Sequence, residues 1–323
     1  MNYLLSMDGG GSKTEWLLTD ENGKTAARYR DVSCSHLECG VDEAIKRIKS
    51  GVDRLLELGN ITDSDLKGAA FGVPCFGEHP SADAKIESVL RTYLPHCAAS
   101  VHNDVELGFA GSLCLEDGIH TVAGTGAITI GKNGKISTRS NGWHPDFSDE
   151  GSGFWLGMKA LGLFAKQSDG RVPKSALYSI LKEDLSLKED SDMIEFYSAI
   201  PHGERGQIAA LQLSLKKAAD AGDESAISLY NEAVHELYYS VFGVYRTLGF
   251  TEEKVVPVSY SGGLFANETY ILKPFADLVS VLPVKVTAPY LPPAEGGILL
   301  AMNNLSPDRI KELSLALKES TAK

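Results

Sequence analysis

The alternation of apolar and polar positions divides the chain into short strand-like runs and longer segments of helical period. Tyr3–Met7 is an apolar run that predicts a buried strand. Two further strands are predicted over Thr14–Thr19 and Thr25–Arg30. Asn22-Gly23 between them is typical of a hairpin turn, because both residues tolerate positive φ angles. The start of the chain therefore predicts a three-stranded meander.

The rest of the chain continues this alternation. Helical periodicity predicts helices over 41–58, 81–94 and 104–115, and apolar runs predict strands over 68–73 and 99–102. A second meander is predicted from strands over 120–123, 127–131 and 136–139. A long helical section is predicted over 151–248, followed by strands over 254–260 and 283–287 and helices over 264–278 and 294–302.

The order of elements in the first half returns in the second half. Each half is predicted to run β-β-β-α-β-α-β-α, with a glycine turn after its first strand and Asn-Gly after its second. Such repetition predicts two duplicated α/β domains. We expect the first over 1–116, joined by a C-terminal helix over 294–323, and the second over 117–293 with a helical insertion over 151–250. Facing each other, the two domains would form a cleft with both glycine turns at its mouth.

Bulk properties narrow the class of function. A chain of 323 residues suffices for about two domains of ~150 residues each. The formal net charge of −12 argues against a nucleic-acid partner, because phosphate backbones would be repelled. No apolar stretch is long enough to cross a bilayer and no signal peptide is recognisable, so we expect a cytoplasmic protein without membrane contact. The five cysteines are odd in number and include no CxxC pair, which argues against a disulfide framework or a zinc site.

The first glycine turn carries groups that bind phosphate and metal. Gly9, Gly10 and Gly11 allow backbone N–H groups to approach phosphate oxygens, and Ser12, Lys13 and Thr14 add two hydroxyls and a cation. Asp8 ends the preceding strand, where it could hold Mg²⁺ directly or through water. The segment is not a P-loop, because Ser12 stands where that motif has a glycine before its lysine. A plain glycine hairpin is the alternative interpretation.

Two further glycine turns follow strands of the second half. Gly124, Thr125 and Gly126 are weak evidence alone, but the repeat pairs them with the first turn as a candidate clamp on the phosphates of a nucleotide. Gly262 and Gly263 join a strand to a helix, and such a junction allows an adenine or ribose to lie against the backbone. A helix-entry turn without a ligand is the alternative interpretation of the latter pair.

Two polar segments offer an acid–base group and a sugar site. Asp104, after Asn103, ends a strand and begins a helix, so it is either a helix cap or a general base for a sugar hydroxyl. The loop over 142–153 interleaves aromatic rings with carboxylates, a combination typical of sugar sites. The alternative is an ordinary loop in which Asp149 or Ser152 caps the next helix. The candidate sugar-binding residues are Gly142, Trp143, His144, Asp149 and Glu150 in this loop, together with Asn103 and Asp104.

In this ordered set of motifs the chain resembles the N-acetylglucosamine kinase branch of the BadF/BadG/BcrA/BcrD-type ATPase family, within the actin/hexokinase/Hsp70-like superfamily. The resemblance spans nearly the whole chain. It implies two ribonuclease H-like (actin-like ATPase) domains, each a mixed five-stranded sheet with helices. It also implies ATP and Mg²⁺ as cofactors, with Asp8 at the metal and Asp104 as the base that activates a sugar hydroxyl, usually the 6-hydroxyl.

The resemblance favours an ATP-dependent kinase of an amino sugar such as N-acetylglucosamine, glucosamine or N-acetylmuramic acid, and we expect a homodimer. Many such kinases carry a sugar-contacting Asn after the third strand, where this chain has Ser33-Cys34-Ser35-His36. Ser35 and His36 are therefore candidate replacements for that contact. The alternatives are a binding protein without turnover and an ATPase that drives a partner protein, as the activators of 2-hydroxyacyl-CoA dehydratases do. Those activators use cysteines from the second half of the chain, whereas none follows Cys114 here.

Overall fold

The computed structural model describes residues 2–11, 13–201, 204–251, 255–302 and 305–321. The chain divides into two compact units. Unit 1 contains Met1–Asp117 and Ala288–Lys323, and unit 2 contains Gly118–Thr287. Each unit is built around its own five-stranded sheet. Among the described residues, no helix is both long and apolar enough to cross a membrane.

Unit 1 opens with the predicted meander. Its strands are β1 (Tyr3–Gly9), β2 (Lys13–Asp20), β3 (Thr25–Val32), β4 (Leu66–Val73) and β5 (Ala98–Asn103). The helices between and after them are α1 (His36–Cys39), α2 (Val41–Gly59), α3 (Pro80–Tyr93) and α4 (Asp104–Leu113). The strand order is β3-β2-β1-β4-β5, in which the meander is antiparallel and β4 and β5 run parallel to β1.

Unit 2 repeats this topology. Its strands are β6 (Gly118–Ala123), β7 (Ala127–Asn133), β8 (Ile136–Asn141), β9 (Val256–Ser261) and β10 (Val284–Thr287). The order β10-β9-β6-β7-β8 again places the first strand at the centre, with the meander on one side and parallel strands on the other. The two mixed five-stranded sheets confirm the predicted duplicated α/β fold.

The predicted helical insertion lies between β8 and β9, and the part of it that the structure describes contains five helices. They are α5 (Gly153–Ser168), α6 (Ala176–Asp184), α7 (Asp192–Ala199), α8 (Gly206–Asp220) and α9 (Glu224–Thr247). Asp223 caps the start of helix α9, because its carboxylate accepts hydrogen bonds from the N–H groups of Ser225 and Ala226. The insertion and the sheet of unit 2 share one hydrophobic core.

The last helices are α10 (Lys273–Val279) in unit 2, and α11 (Pro293–Ala301) and α12 (Pro307–Thr321) in unit 1. The central strand β1 is covered on both faces, because successive side chains of a strand point to opposite sides. Leu5 and Met7 enter a core shared with α2 and α3. Leu4 enters a second core shared with α11 and α12. Ser6 and Asp8 therefore share the face of Leu4, toward the C-terminal helices.

The structure differs from expectation in three segments. The helix predicted over 264–278 is instead a 3₁₀ turn (Gly263–Ala266), a π-helical segment (Glu268–Leu272) and α10. Asn267 interrupts it, because its side chain accepts a hydrogen bond from the N–H of Tyr270 and competes with the helical pattern. The helix predicted over 294–323 is two helices, and Pro307 begins the second. Helix α1 was not predicted, and Lys254 of the predicted ninth strand lies outside the described residues.

Two glycines of α5 provide a matched test of its packing on α8. A Cβ atom at Gly157 would lie 2.0 Å from the carbonyl oxygen of Ile208, whereas one at Gly162 would have no atom within 4 Å. We expect Gly157→Ala to lower the free energy of unfolding by about 1–3 kcal/mol through overpacking. Gly162→Ala should leave stability unchanged or raise it by about 0.5–1 kcal/mol, because alanine favours helix. Urea unfolding measures both, and equal effects would contradict the close α5–α8 contact.

Candidate functional site

The carboxyl ends of β1, β4 and β5 bring the candidate residues of unit 1 to one edge of its sheet. Asp8 of β1 lies opposite Gly72 of β4, and Gly72 lies opposite His102 of β5. Asp104 follows β5 directly as the first residue of α4. Parallel strands end at the same edge, where ligands of α/β proteins bind. One strand, β4, therefore separates the strands that carry Asp8 and Asp104.

In the turn between β1 and β2, glycine is required by the close packing of the backbone, independently of any bound ligand. A Cβ atom at Gly9 would lie 2.6 Å from the carbonyl oxygen of Gly72 and 2.8 Å from the Cys34 sulfur. The N–H of Gly10 already donates to the carbonyl of Lys13 at 2.8 Å, which closes the hairpin. Gly11 is exposed and open on its side-chain side.

The polar residues after these glycines have different environments. Ser12 lies outside the described residues. Lys13 is exposed and free to meet an anion, whereas Thr14 is buried, with its hydroxyl inside unit 1. The structure therefore places the cation, but not the Thr14 hydroxyl, at the surface of this turn.

Asp104 is not the helix cap that one interpretation of the sequence suggested. The side chain of Asn103 caps α4 by accepting a hydrogen bond from the N–H of Val105 at 3.2 Å. The Asn103 amide in turn donates to the carbonyl of Phe76 at 2.9 Å, which fixes its orientation. Asp104 lies one position later and is thus available for another role.

Burial raises the pKa of Asp104 to about 6, although the residue retains partial exposure at the sheet edge. Hydrogen bonds from the N–H groups of Val105 and of Asp104 itself oppose this effect, and the negative charge of Glu78 adds to it. A carboxylate with such a pKa is charged at neutral pH and still basic enough to accept a proton. It therefore has the properties of a general base.

Asp8 meets the requirements of a metal-binding carboxylate. Burial, and then the negative charges of Asp104, Glu15 and Glu295, together raise its pKa to about 7 against the opposing charge of Lys13. Within the described residues, no hydrogen bond or ion pair engages its carboxylate. The described residues contain no group of three or more His, Cys, Asp or Glu able to hold a metal. Mg²⁺ in phosphoryl-transfer sites takes most of its ligands from water and phosphate, so a single carboxylate fits that ion.

Ser35 and His36 lie at the start of α1, next to the glycine turn. The N–H of Ser35 donates to the Ser33 hydroxyl at 3.1 Å, and that hydroxyl donates to the carbonyl of Gly10 at 2.9 Å. His36 is 5% exposed, and within the described residues neither of its ring nitrogens has a hydrogen-bond partner. Its ring packs edge-on against His79, with centroids 5.4 Å apart. Burial, and then the charge of His79, lower the pKa of His36, so a neutral imidazole is presented here.

In unit 2 the other two glycine turns also lie side by side. Gly124, Thr125 and Gly126 follow β6, and Gly262 and Gly263 follow the adjacent parallel strand β9. Gly262 has a φ of +97°, and a Cβ atom there would lie 2.3 Å from the carbonyl oxygen of Ala123, so only glycine fits. Gly263 is exposed, and a Cβ atom there would have no neighbour within 4 Å.

The loop before α5 is organised by Asn141, which the sequence analysis did not single out. Its side-chain oxygen accepts hydrogen bonds from the N–H of Gly142, the N–H of Asp149 and the hydroxyl of Ser148, each at 2.8 Å. Its amide donates to the carbonyl of Glu150 at 2.9 Å. A single side chain thus fixes both ends of the loop.

Asp149 is buried within unit 2 rather than exposed as a helix cap. It has a φ of +61°, and its carboxylate forms an ion pair with Arg205 at 3.1 Å. A Cβ atom at Gly126 would lie 2.8 Å from that carboxylate, so the turn after β6 and the loop before α5 touch. Ser152 caps α5, because its hydroxyl accepts a hydrogen bond from the N–H of Trp155 at 3.1 Å.

The aromatic part of this loop faces solvent. Trp143 is 63% exposed, with the guanidinium of Arg139 4.4 Å from its ring centroid. His144 is also exposed and stacks on Phe147 with centroids 5.4 Å apart. Glu150 is half-buried. Of the predicted sugar-site residues in this loop, Gly142, Asp149 and Glu150 are drawn together around Asn141, whereas Trp143 and His144 project outward.

Sequence reasoning also missed three charged residues near the candidate groups. Arg205 is 56 positions from its partner Asp149, and Glu295 is 267 positions from its partner Arg28. Glu15 lies directly opposite Asp8 in the antiparallel pair of β1 and β2. Ion pairs between residues so far apart in the chain produce no pattern in the local sequence. Asn141-Gly142, in contrast, is an Asn-Gly turn signal at a strand end that could have been recognised.

Comparisons with known proteins agree with this architecture. The duplicated pair of mixed five-stranded sheets is a fold that the chain shares with solved sugar kinases. The sequence profile of the BadF/BadG/BcrA/BcrD ATPase family matches residues 5–301, and the chain belongs to this family. The protein therefore uses ATP.

Named relatives and solved structures cover nearly the full chain. An N-acetyl-D-glucosamine kinase of Dictyostelium discoideum is 28% identical over 93% of this chain and 98% of its own length. An N-acetylmuramic acid/N-acetylglucosamine kinase of Clostridium acetobutylicum is 30% identical over 88% of this chain and 93% of its own. A Chromobacterium violaceum protein provisionally assigned as an N-acetylglucosamine kinase shares the fold with a TM-score of 0.74 at 23% identity, covering 94% of this chain and 99% of its own. A ROK family glucokinase of Streptomyces griseus does so with a TM-score of 0.58 at 15% identity, covering 93% and 98%.

The role of Asn141 can be tested by amide hydrogen exchange. We expect Asn141→Ala to accelerate exchange over 142–150, because the loop would lose four hydrogen bonds, each contributing about 0.5–1.5 kcal/mol. Asn133→Ala is the matched control, since Asn133 ends β7 and its amide donates to the carbonyl of Leu248, outside this loop. Unchanged exchange in the loop of the Asn141 variant would show that other contacts hold it.

Proposed function

We propose that the protein is an ATP-dependent kinase that transfers the γ-phosphoryl group of ATP to the 6-hydroxyl of an amino sugar. Glucosamine, N-acetylglucosamine and N-acetylmuramic acid are the candidate acceptors. The observation that carries the proposal is the position and raised pKa of Asp104. Its carboxylate does not cap α4 and lies at the same sheet edge as Asp8. The names of the relatives at 28% and 30% identity support the substrate class.

Asp104 would act as the general base. An alcohol becomes a better nucleophile when its proton is accepted as it attacks phosphorus, and a pKa near 6 suits that transfer at neutral pH. The hydrogen bond from Val105 and the cap by Asn103 hold Asp104 at the start of α4. Asn103 would then support the sugar site by fixing this geometry.

Asp8 and the turn after it would hold the nucleotide phosphates. A magnesium ion bound by Asp8 would supply charge neutralisation for the transferring phosphoryl group. Gly9 and Gly10 fix the shape of the turn through close packing and the hairpin hydrogen bond. Gly11 and the ammonium group of Lys13 are the exposed groups left to meet phosphate oxygens. Ser12 is proposed for the same role from its position in the sequence.

In unit 2 we assign Gly124, Thr125 and Gly126 to phosphate and Gly262 and Gly263 to adenosine. The open side of Gly263 and the exposure of Thr125 support these roles. For the sugar we assign the loop held by Asn141, with Asp149 fixed by Arg205. Its remaining members are Gly142, Trp143, His144 and Glu150.

In unit 1 we assign Ser35 and His36 to the sugar. The absence of hydrogen-bond partners for the buried His36 ring, within the described residues, supports a ligand there. Its charge-neutral state allows one ring nitrogen to accept a hydrogen bond and the other to donate one.

A panel of sugars with coupled detection of ADP tests the proposal. The wild-type protein should release ADP with at least one amino sugar well above the sugar-free rate. We expect Asp104→Asn to lower kcat with that sugar by about 10²-fold or more, because the substituted amide accepts no proton. The affinity for ATP, measured by calorimetry, should stay unchanged.

Glu106→Gln is the matched control, since Glu106 lies on the first turn of the same helix but is exposed and pairs with His102. It should retain kcat. Activity of Asp104→Asn equal to wild type would remove Asp104 from the mechanism. Sugar-independent ATP hydrolysis that a partner protein stimulates would instead favour the ATPase-activator alternative.

The raised pKa of Asp104 predicts a pH dependence of sugar phosphorylation. At saturating MgATP the metal would keep Asp8 ionised, so Asp104 would be the remaining group that must lose its proton. We expect kcat/KM for the sugar to be constant above pH 7 and to fall about tenfold per pH unit below about 6. A base with the ordinary aspartate pKa of about 3.9 would keep activity nearly constant down to about pH 5. A profile that stays flat to pH 5 would contradict the assignment.

A further inference from the structure

A partly buried ionic network connects β3 to the last two helices of unit 1. Arg28 donates from Nη1 to Oε1 of Glu295 at 2.7 Å and from Nε to Oε1 of Glu15 at 2.6 Å. The hydroxyl of Thr321 also donates to Oε1 of Glu295, at 2.7 Å. Arg30 reaches the second oxygen of Glu15 at 3.1 Å. Both oxygens of Glu15 are therefore engaged.

One oxygen in this network remains unsatisfied. Glu295 is 1% exposed, and among the described residues its Oε2 atom is buried without a hydrogen-bond partner. Leaving a buried polar atom without a hydrogen-bond partner is unfavourable, and more so when the group is charged. A ligand that pairs with Oε2 in the working state would account for its burial without a partner.

The topology of unit 1 directs Glu295 toward Asp8. Asp8 and Ser6 lie on the face of β1 that α11 covers, and a Cβ atom at Gly297 of α11 would lie 2.0 Å from the Ser6 hydroxyl. Helix α11 ends near the other end of β1, because a Cβ atom at Gly68 would lie 1.9 Å from the carbonyl oxygen of Ala301. Its first turn, which carries Glu295, is therefore at the Asp8 end of the strand.

The other members of the network occupy the same face. Glu15 lies opposite Asp8 in the pairing of β1 with β2, and Arg30 lies opposite Glu15 in the pairing of β2 with β3. Directly paired residues of a sheet share a face. The only carboxylate oxygen of Glu15 and Glu295 that the described residues leave without a partner is thus Oε2 of Glu295.

We propose that Glu295 is the outer-sphere carboxylate of the nucleotide's magnesium ion, with Oε2 accepting a hydrogen bond from a water molecule bound to the metal at Asp8. The inference rests on the proposed function, since it requires a metal–nucleotide complex at this turn. Water bound to Mg²⁺ is a strong donor, and that ion retains several waters in phosphate sites. Arg28 acts as the positioning residue, because its guanidinium holds Oε1 and leaves Oε2 free.

Calorimetric titration with ADP, in EDTA and in Mg²⁺, tests the inference without relying on turnover. The quantity compared is the factor by which Mg²⁺ tightens ADP binding. We expect Glu295→Gln to reduce this factor about tenfold, as substitutions of outer-shell metal partners do. Affinity for metal-free ADP should remain at the wild-type value, because the residue contacts the metal's water and not the nucleotide.

Glu15→Gln and Thr321→Val are the matched controls. Glu15→Gln removes one negative charge near Asp8, as Glu295→Gln does, but both oxygens of Glu15 already have hydrogen-bond partners. Thr321→Val removes one partner of Oε1 of Glu295 and leaves Oε2 unchanged. Both should keep the wild-type magnesium factor. If Glu295→Gln does not fold, Glu295→Asp retains the charge but shortens the side chain, and it should also lower the factor.

The outcomes separate the inference from the function on which it rests. An equal loss of affinity with and without Mg²⁺ in Glu295→Gln, or a similar loss of the factor in Glu15→Gln, would overturn the outer-sphere role alone. A wild-type protein that binds no ADP would overturn the proposed function and the inference with it.

Discussion

The parallel pairing of β4 with β1 on one side and with β5 on the other is the constraint on which the candidate site of unit 1 depends. It brings the ends of β1 and β5 to one sheet edge, although Asp8 and Asp104 are far apart along the chain. The pairing is possible because Gly9 has no side chain to collide with the carbonyl of Gly72. A slip of one residue in this register would turn the side chain of Asp8 from the face of α11 to the opposite face.

The same edge concentrates negative charge. The negative charges of Asp104, Glu15 and Glu295 act on the buried Asp8, where Lys13 opposes them. Arg28 and Arg30 pair with Glu15, and Arg28 also pairs with Glu295. Such crowding disfavours the fully ionised state and favours the arrival of a cation. The protein has a net charge of −12 and would repel a free polyanionic nucleotide. A metal ion that arrives with the nucleotide would offset this repulsion.

The architecture could be predicted from the sequence because each turn motif occurs twice, once in each half of the chain. Either meander alone is a common pattern, but matching glycine turns and Asn-Gly turns in both halves indicated the repeated sheet that the structure has. Interruptions and caps were harder to predict. Asn267 breaks a helix by a side-chain hydrogen bond, and the choice of Asn103 over Asp104 as cap depends on a dihedral angle that composition does not reveal. Long-range partners such as Arg205 and Glu295 required the folded chain.

The contact between α5 and the turn after β6 has a mechanical consequence. The N–H groups of Gly153 and Phe154, at the start of the helix, donate to the carbonyls of Gly124 and Thr125 at 2.8 and 3.1 Å. These N-terminal N–H groups of α5 are therefore paired with the protein's own carbonyls and are not available to bind an anion. These hydrogen bonds couple α5 to the turn, so that a tilt of the helical insertion would also displace Thr125.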